Sequence, residues 1–301
     1  MLPSKSRFLR KLAHFTFRRR KMKIILDAEL YDRGTAAAPE DGLWSKFPIV
    51  GVWDGVSAPY NDEHPPFLYK GLTGGKMAGD ALADSLQSAT VEDLESILVD
   101  ANRKIGDVQI EAGMNLVDAS TLGGVTFVLA QLGTESIKIV HGGDCYALWA
   151  KKSGEVGISH NSFLPFEMEL RNKVAELMER TGGNRKEMWR LFYPFLCQKK
   201  RENTNVPGRC ALLNGQPKVV RCWSKYSIPS KDISLLILLT DGLVPAHEAG
   251  NEPELARKLV SLYEKGRLVE ILAWARRSEG AIADRTHETF SEATGLAIRF
   301  E

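Results

Sequence analysis

Residues 42–55, GLWSKFPIVGVWDG, read as two apolar strands folded back on a turn near Ser45–Pro48. The second strand stops on Asp54–Gly55, and the first is preceded by Glu40–Asp41. A hairpin brings the start of one strand beside the end of the next, so both acidic positions fall at one open end. Aspartate is a poor strand residue, yet two other apolar runs finish the same way. SIKIVHGGD ends on Asp144 and SLLILLTDG ends on Asp241–Gly242. The first of these is the return arm of a hairpin that begins at STLGG (120–124). If SLLILLTD lies antiparallel to ATGLAIRF (293–300), Asp241 faces Ser291–Glu292 at the same kind of sheet end.

Working outward, residues 24–30 form a strand and 58–72 a loop rich in Pro, Asn and acid. TGGKMAGDALADSLQSA (73–89) is a helix whose start is marked by Thr73 and two glycines. A second helix covers 91–112, with Leu94, Ile97, Leu98 and Ile105 at helical spacing. Residues 121–157 supply three strands in series. Residues 165–198 favour helix, broken at Gly182–Gly183 and Pro194. Late in the chain, one helix carries Leu255, Leu259 and Leu262, and the next carries Leu268, Ile271, Leu272 and Ala275. Strands in hairpins with helices clustered between them argue for an α+β fold rather than an alternating βαβ order. GGKMAG (74–79) does not reproduce the GxxxxGK[ST] loop of nucleotide-binding folds.

A chain of 301 residues with 44% apolar and 26% charged residues is long enough for a sizeable core. Its net charge of +2 hides an asymmetry, because residues 1–23 hold nine Lys or Arg and no acid. The formal +2 less those nine leaves −7 for the remainder. Residues 1–21 are expected to be a disordered basic extension, and residues 22–301 a single domain. The extension's Phe8, Leu9, Leu12, Phe15 and Phe17 leave open an amphipathic contact with a membrane or another anionic surface. The acidic body argues against nucleic acid. Without the unbroken apolar core of a secretory signal, and with four cysteines that form no CxxC pair, the chain is expected to be cytoplasmic.

Carboxylates gathered at one sheet end repel one another unless cations compensate. Oxygen-only donors suit Mg²⁺ or Mn²⁺ rather than zinc. Each Asp–Gly also reads as an ordinary turn, and spacing alone leaves both readings open.

As an ordered set, PED, VWDG, TGGKMAGDAL, STLGG, VHGGDCYAL, ILLTDGL and SEATGLAIRF resemble the motifs of the metal-dependent protein phosphatase 2C family, in its bacterial form. They span nearly all of residues 24–300. The resemblance implies a four-layer αββα sandwich of two antiparallel sheets flanked by helices, with residues 160–210 as a flap-like helical segment. It also implies two Mn²⁺ or Mg²⁺ ions, with a third held weakly, and hydrolysis of phosphoserine or phosphothreonine in proteins by a metal-activated water. Carried over by position, Asp54 resembles the carboxylate shared by both ions, and the Gly55 carbonyl with Glu40 or Asp41 completes one site. Asp241 resembles a ligand of the other ion, and Asp144 the residue that holds a metal-bound water or the third ion. A monomer is expected.

The chain departs from that pattern in three places. Ser291 stands where the last metal-binding Asp is expected. Glu292 is the substitute at hand, although strand alternation turns it to the other face. DGVSAP carries no His after Asp–Gly, which leaves His64 as a candidate by proximity alone. Arg33 is near, but not at, the spacing of the phosphate-binding Arg. In the flap-like segment, Lys199, Lys200 and Arg201 are candidates for attracting a phosphopeptide. The alternative implied by Ser291 is a pseudophosphatase, a binding or regulatory module that retains the fold.

Overall fold

The structure, a computed structural model, describes residues 14–16, 23–36, 38–89, 93–282 and 290–301. In chain order its elements are β1 (His14–Thr16), β2 (Lys23–Asp32), β3 (Gly42–Trp44), β4 (Ile49–Val56), β5 (Leu68–Tyr69) and β6 (Leu72–Thr73), then α1 (Gly74–Ser88) and α2 (Leu94–Glu111). Next come β7 (Gly124–Leu132), β8 (Ser136–Gly142), β9 (Tyr146–Lys151), β10 (Val156–Ile158), α3 (Leu164–Arg180) and α4 (Arg185–Asn203). The chain closes with β11 (Ser224–Pro229), β12 (Ile233–Leu239), α5 (Glu252–Ile282) and β13 (Ala293–Phe300). A six-stranded sheet has the order β1-β2-β13-β12-β9-β10, and a five-stranded sheet the order β11-β8-β7-β4-β3. With two main antiparallel sheets and five helices among the described residues, the fold is α+β, as the sequence implies.

The chain divides into two compact units. The first comprises the chain up to Asp54, Phe127–Asn161 and Ser224–Glu301, and holds both large sheets and α5. Alternation along each strand decides its layering. Ile24 and Leu26 of β2, Leu236 and Leu238 of β12, and Leu296 and Ile298 of β13 face Val50 and Val52 of β4 and Val128 and Ala130 of β7. Each of these Val, Ile and Leu side chains contributes about 1.5–3 kcal/mol when fully buried. The opposite face of the six-stranded sheet, through Leu30, Leu148, Leu235 and Ile237, packs on Leu255, Leu259, Leu268 and Ile271 of α5.

Two late helices were expected, and α5 indeed breaks once, at Gly266 and Arg267. Arg267 has φ 62°, a left-handed conformation that costs a non-glycine residue energy. Its compensation is local. The Arg267 and Arg299 guanidinium groups and the Tyr263 hydroxyl all donate to Asp27 Oδ2 on β2.

The second unit comprises Gly55–Thr126 and Ser162–Trp223. Thr73 caps α1 by accepting the Lys76 amide, and Asp93 caps α2 by accepting that of Ser96. Leu177 of α3 packs on Met188 and Phe192 of α4, with Phe195 beside them and Trp189 left partly exposed. A break was expected at Pro194, but α4 runs through it to Asn203 and only 181–184 interrupts the helices. The loop 204–216, which carries no hydrophobic period, is held by buried amides. Asn102 and Gln109 of α2 donate to the carbonyls of Gln216 and Asn214, and Asn205 donates to Leu212 O and Asn214 Oδ1.

Within the basic extension, His14–Thr16 pair with Ile25–Lys23 as an edge strand, where disorder was expected. The other residues of the extension, Phe8, Leu9, Leu12 and Phe17 among them, lie outside the described residues. Among the described residues no helix is long and apolar enough to cross a membrane. The four cysteines are all free thiols.

Leu238 is 0% exposed in the inter-sheet core, and Val99 on α2 is 47% exposed. Leu238→Ala should destabilise the protein by about 2–5 kcal/mol, and Val99→Ala by about 0.5 kcal/mol or less, as read from urea midpoints.

Candidate functional site

The hairpin that opens the sequence argument forms as read. Gly42 pairs with Trp53, Leu43 with Val52 and Trp44 with Gly51, and the turn between them contains a cis Phe47–Pro48 bond. One step further along that register brings Asp41 opposite Asp54. β12 and β13 are antiparallel, with Leu239 opposite Gly295, so Asp241 emerges beside the start of β13. β7 and β8 pair with Phe127 opposite Gly142, and Gly143, at φ 84°, turns the chain into Asp144. All of this lies in the first unit.

The Asp54 carboxyl is pushed well above the usual carboxylate range, first by burial and then by the charges of Asp41, Asp241 and Asp144. Asp41 is pushed up to about 6, first by burial and then by the charge of Glu292, while the hydrogen bond from Thr240 opposes the rise. Asp241 is solvent-exposed and Asp144 half-buried. Of the acidic pair, Asp41 is therefore the member that adjoins Asp54, while the Glu40 amide donates to Glu292.

Two threonines hold Asp41. The Thr240 hydroxyl donates to Asp41 Oδ2 at 2.8 Å and accepts the Thr294 amide at 2.9 Å. Both threonines are fully buried. The other carboxylate oxygen, Asp41 Oδ1, is buried with no hydrogen-bond partner. A buried, unpaired anionic oxygen is costly unless a proton or a cation completes it.

The placement of Ser291 and Glu292 reverses the expectation from alternation. Leu296 and Ile298 face the inter-sheet core, and two-residue periodicity carries Thr294 and then Glu292 onto that inner face. Glu292 Oε1 accepts the Tyr31 hydroxyl at 2.6 Å, and Oε2 accepts the Glu40 amide at 2.8 Å. Ser291 lies exposed before the strand. Its carbonyl accepts from Arg276, and its amide donates to Glu279, both on α5. Gly242 explains why Asp241 can sit so close. A Cβ there would overlap the Glu292 carbonyl, so only glycine admits this approach.

Other candidates are committed elsewhere. Arg33 Nε donates to the Ala36 carbonyl at 2.8 Å and closes the turn after β2. In the second unit His64 stacks on Tyr193, with ring centroids 4.3 Å apart. Lys199 pairs with Glu169 and Glu202, and Arg201 makes a two-pronged bond to Asp118. Lys200 is buried and donates to the carbonyls of Ser57 and Leu122. Lys200 is thus built into the fold, while Lys199 and Arg201 are held in ion pairs nearer the surface. Sequence reading missed Thr240, Thr294 and Tyr31. Their one signal was a hydroxyl interrupting an otherwise apolar strand.

The chemistry of the donors fits a hard divalent cation: carboxylate oxygens, a buried Asp41 oxygen without a partner, and mutual repulsion that a positive ion would relieve. The side chains as they stand are not closed round an ion. Among the described residues no group of three or more His, Cys, Asp or Glu forms a ready metal site.

Neither a family model nor a curated protein matches the chain. Solved structures do. The serine/threonine phosphatase Stp1 from Staphylococcus aureus aligns at TM-score 0.55 and 15% identity, covering 92% of this chain and 95% of that one. The Mycobacterium tuberculosis serine/threonine phosphatase PstP/Ppp aligns at 0.54 and 15%, covering 92% and 98%. The catalytic domain of the phosphatase PstP in complex with two manganese ions aligns at 0.53 and 14%, covering 93% and 98%. The chain has the fold of these bacterial phosphatases.

The raised carboxyls set a sign for stability. Asp41 and Asp54 bind protons more tightly when folded than the unfolded value of about 3.9, so the folded state loses stability as pH rises from about 4 through Asp41's value of about 6. In chelator at neutral pH, Asp54→Asn should therefore stabilise the protein. The gain should shrink as pH falls toward about 4, as measured by thermal unfolding across pH.

Proposed function

We propose that this chain is a Mn²⁺- or Mg²⁺-dependent phosphatase that hydrolyses phosphoserine and phosphothreonine in proteins. The observation that carries the reading is the electrostatic coupling of Asp54 to Asp41, Asp241 and Asp144 at one end of a sandwich with this fold. Asp54, Asp41, Asp241, Asp144 and the Gly55 carbonyl are the groups that would hold two ions. When bound, such cations supply Lewis acidity toward phosphoryl oxygens and lower the pKa of water.

The chain's own residues account for the rest. Four carboxylates facing one mouth repel a phosphate dianion, so this surface accepts a phosphomonoester only after positive charge is bound. Thr240 orients the Asp41 carboxylate by donating its hydroxyl proton to Oδ2, while the hydroxyl oxygen accepts the Thr294 amide and is held in that direction. The side chain proposed to steady the substrate's phosphoryl group is that of Arg33, whose Nε donates to the Ala36 carbonyl in this structure. No protein nucleophile is assigned, and none is required when water attacks phosphorus directly. The protein is proposed to act as a monomer in the cytoplasm.

A second reading, a pseudophosphatase that binds partners without turnover, is favoured by one specific feature. Ser291 offers a neutral hydroxyl at the surface, with its backbone tied to α5.

The two readings separate in one assay series. Phosphate release from p-nitrophenyl phosphate and from phosphothreonine peptides should require Mn²⁺ and vanish in excess chelator. Asp54→Asn should lower it on the order of 10²–10³-fold, the loss typical of one preorganised electrostatic group. An inactive native chain that gains activity in Ser291→Asp would establish the second reading instead.

A further inference from the structure

Glu292 is an anion placed beside another anion. Its charge raises the Asp41 carboxyl, so its position costs energy unless something holds it there. Two donors do. The Tyr31 hydroxyl reaches Oε1 at 2.6 Å and the Glu40 amide reaches Oε2 at 2.8 Å, both within the range of charge-assisted bonds.

The backbone explains how these groups meet. β13 pairs with β2, placing Thr294 opposite Tyr31 and Ala293 opposite Asp32. Thr294, Tyr31 and Glu292 therefore share the inner face of the sheet. The Glu40 amide belongs to the stretch leading into β3 of the other sheet, so the Glu292 side chain crosses from one sheet to the other at their open end. Its carbonyl is meanwhile packed against Gly242, next to Asp241.

We propose that Glu292 is a positioning residue that clamps the loop presenting Asp41, by accepting the Glu40 amide with one oxygen and the Tyr31 hydroxyl with the other. The sequence had offered Glu292 as a substitute metal ligand. In the structure each of its oxygens accepts a short bond from the protein. The clamp acts on the same carboxylate that Thr240 holds, but from the backbone side: Thr240 fixes the direction of the side chain, and Glu292 fixes the peptide that carries it. In its effect on cation binding, the inference rests on the reading of Asp41 as part of the cation site.

The test uses the full chain and two readouts. Amide hydrogen exchange is followed at Glu40 in chelator, with the β12 amide of Leu238 as an internal reference for global opening. Mn²⁺ binding is followed by calorimetry. Glu292→Ala should speed exchange at Glu40 at least about tenfold without changing Leu238. It should weaken Mn²⁺ about 10–100-fold, the usual cost of losing a group that orients a ligand, with the number of ions bound unchanged. Glu292→Gln, which keeps one acceptor oxygen, should fall between Ala and the native chain in both readouts. Tyr31→Phe, a gentler change should Ala fail to fold, should accelerate Glu40 exchange by a smaller factor.

Unchanged exchange at Glu40 in Glu292→Ala would overturn the clamp. So would loss of one bound Mn²⁺ in both Glu292 variants with exchange unaltered, since that outcome makes Glu292 a ligand. If the native chain binds no Mn²⁺ at all, the phosphatase reading fails, and the exchange data still decide the clamp.

Discussion

Repulsion between the carboxyls of Asp41 and Asp54 is the constraint around which the rest of this molecule is arranged. The β3–β4 register sets them opposite one another, and burial removes the water that would screen them. Asp241 and Asp144 add charge from two further strand ends. A fold that assembles such a group stores unfavourable energy there, which a proton relieves in acid and a divalent cation relieves at neutral pH. Local strain of this kind is tolerated where the surrounding structure over-determines it. Thr240 and Thr294 supply that determination, because each is buried and each hydrogen-bonds across the β12–β13 seam.

The scaffold that bears this cost is conventional in its physics. Alternating Val, Ile and Leu from the two sheets make the inter-sheet core, and α5 closes the outer face of the larger sheet. Polar devices settle the places where apolar packing says nothing. Asp27 gathers Tyr263, Arg267 and Arg299 at the kink in α5. In the second unit, the side-chain amides of Asn102, Gln109, Asn205 and Gln216 fix a loop that has no apolar pattern. Fully satisfied buried networks of this kind specify one conformation, because any rearrangement leaves a donor or acceptor unpaired.

The start of the C-terminal strand shows how neighbouring residues are sent to opposite sides of a sheet. Ser291 is drawn outward to α5, and Glu292 is turned inward to Tyr31 and Glu40. The parity of β13 is not free. Leu296 and Ile298 belong to the inter-sheet core, and a one-residue slip would turn them out of it. The inner position at the strand's start is therefore set several residues downstream, by hydrophobic burial. Strand alternation holds along β13, with its inner parity set by Leu296 and Ile298 and not by Ser291.

Apolar runs ending on Asp54, Asp144 and Asp241 were enough to read the hairpins and the α+β class, because strand polarity and turn residues are local properties; the antiparallel pairing of β12 with β13 stood only as a condition until the tertiary structure supplied it. The excess of cations in residues 1–23 was equally plain from composition. Tertiary structure alone decided which of Glu40 and Asp41 adjoins Asp54, since the two neighbours differ only in the face they take once the register is fixed. It alone turned Glu292 inward, tied Lys199, Lys200 and Arg201 into the fold, and brought Thr240 and Tyr31 to the site. Each of these depends on contacts between residues far apart in the chain: Asp41 and Thr240 are 199 positions apart, and Tyr31 and Glu292 are 261 apart. Such distances carry no periodic signal, because the free energy that brings the residues together belongs to the core between them and not to the residues themselves.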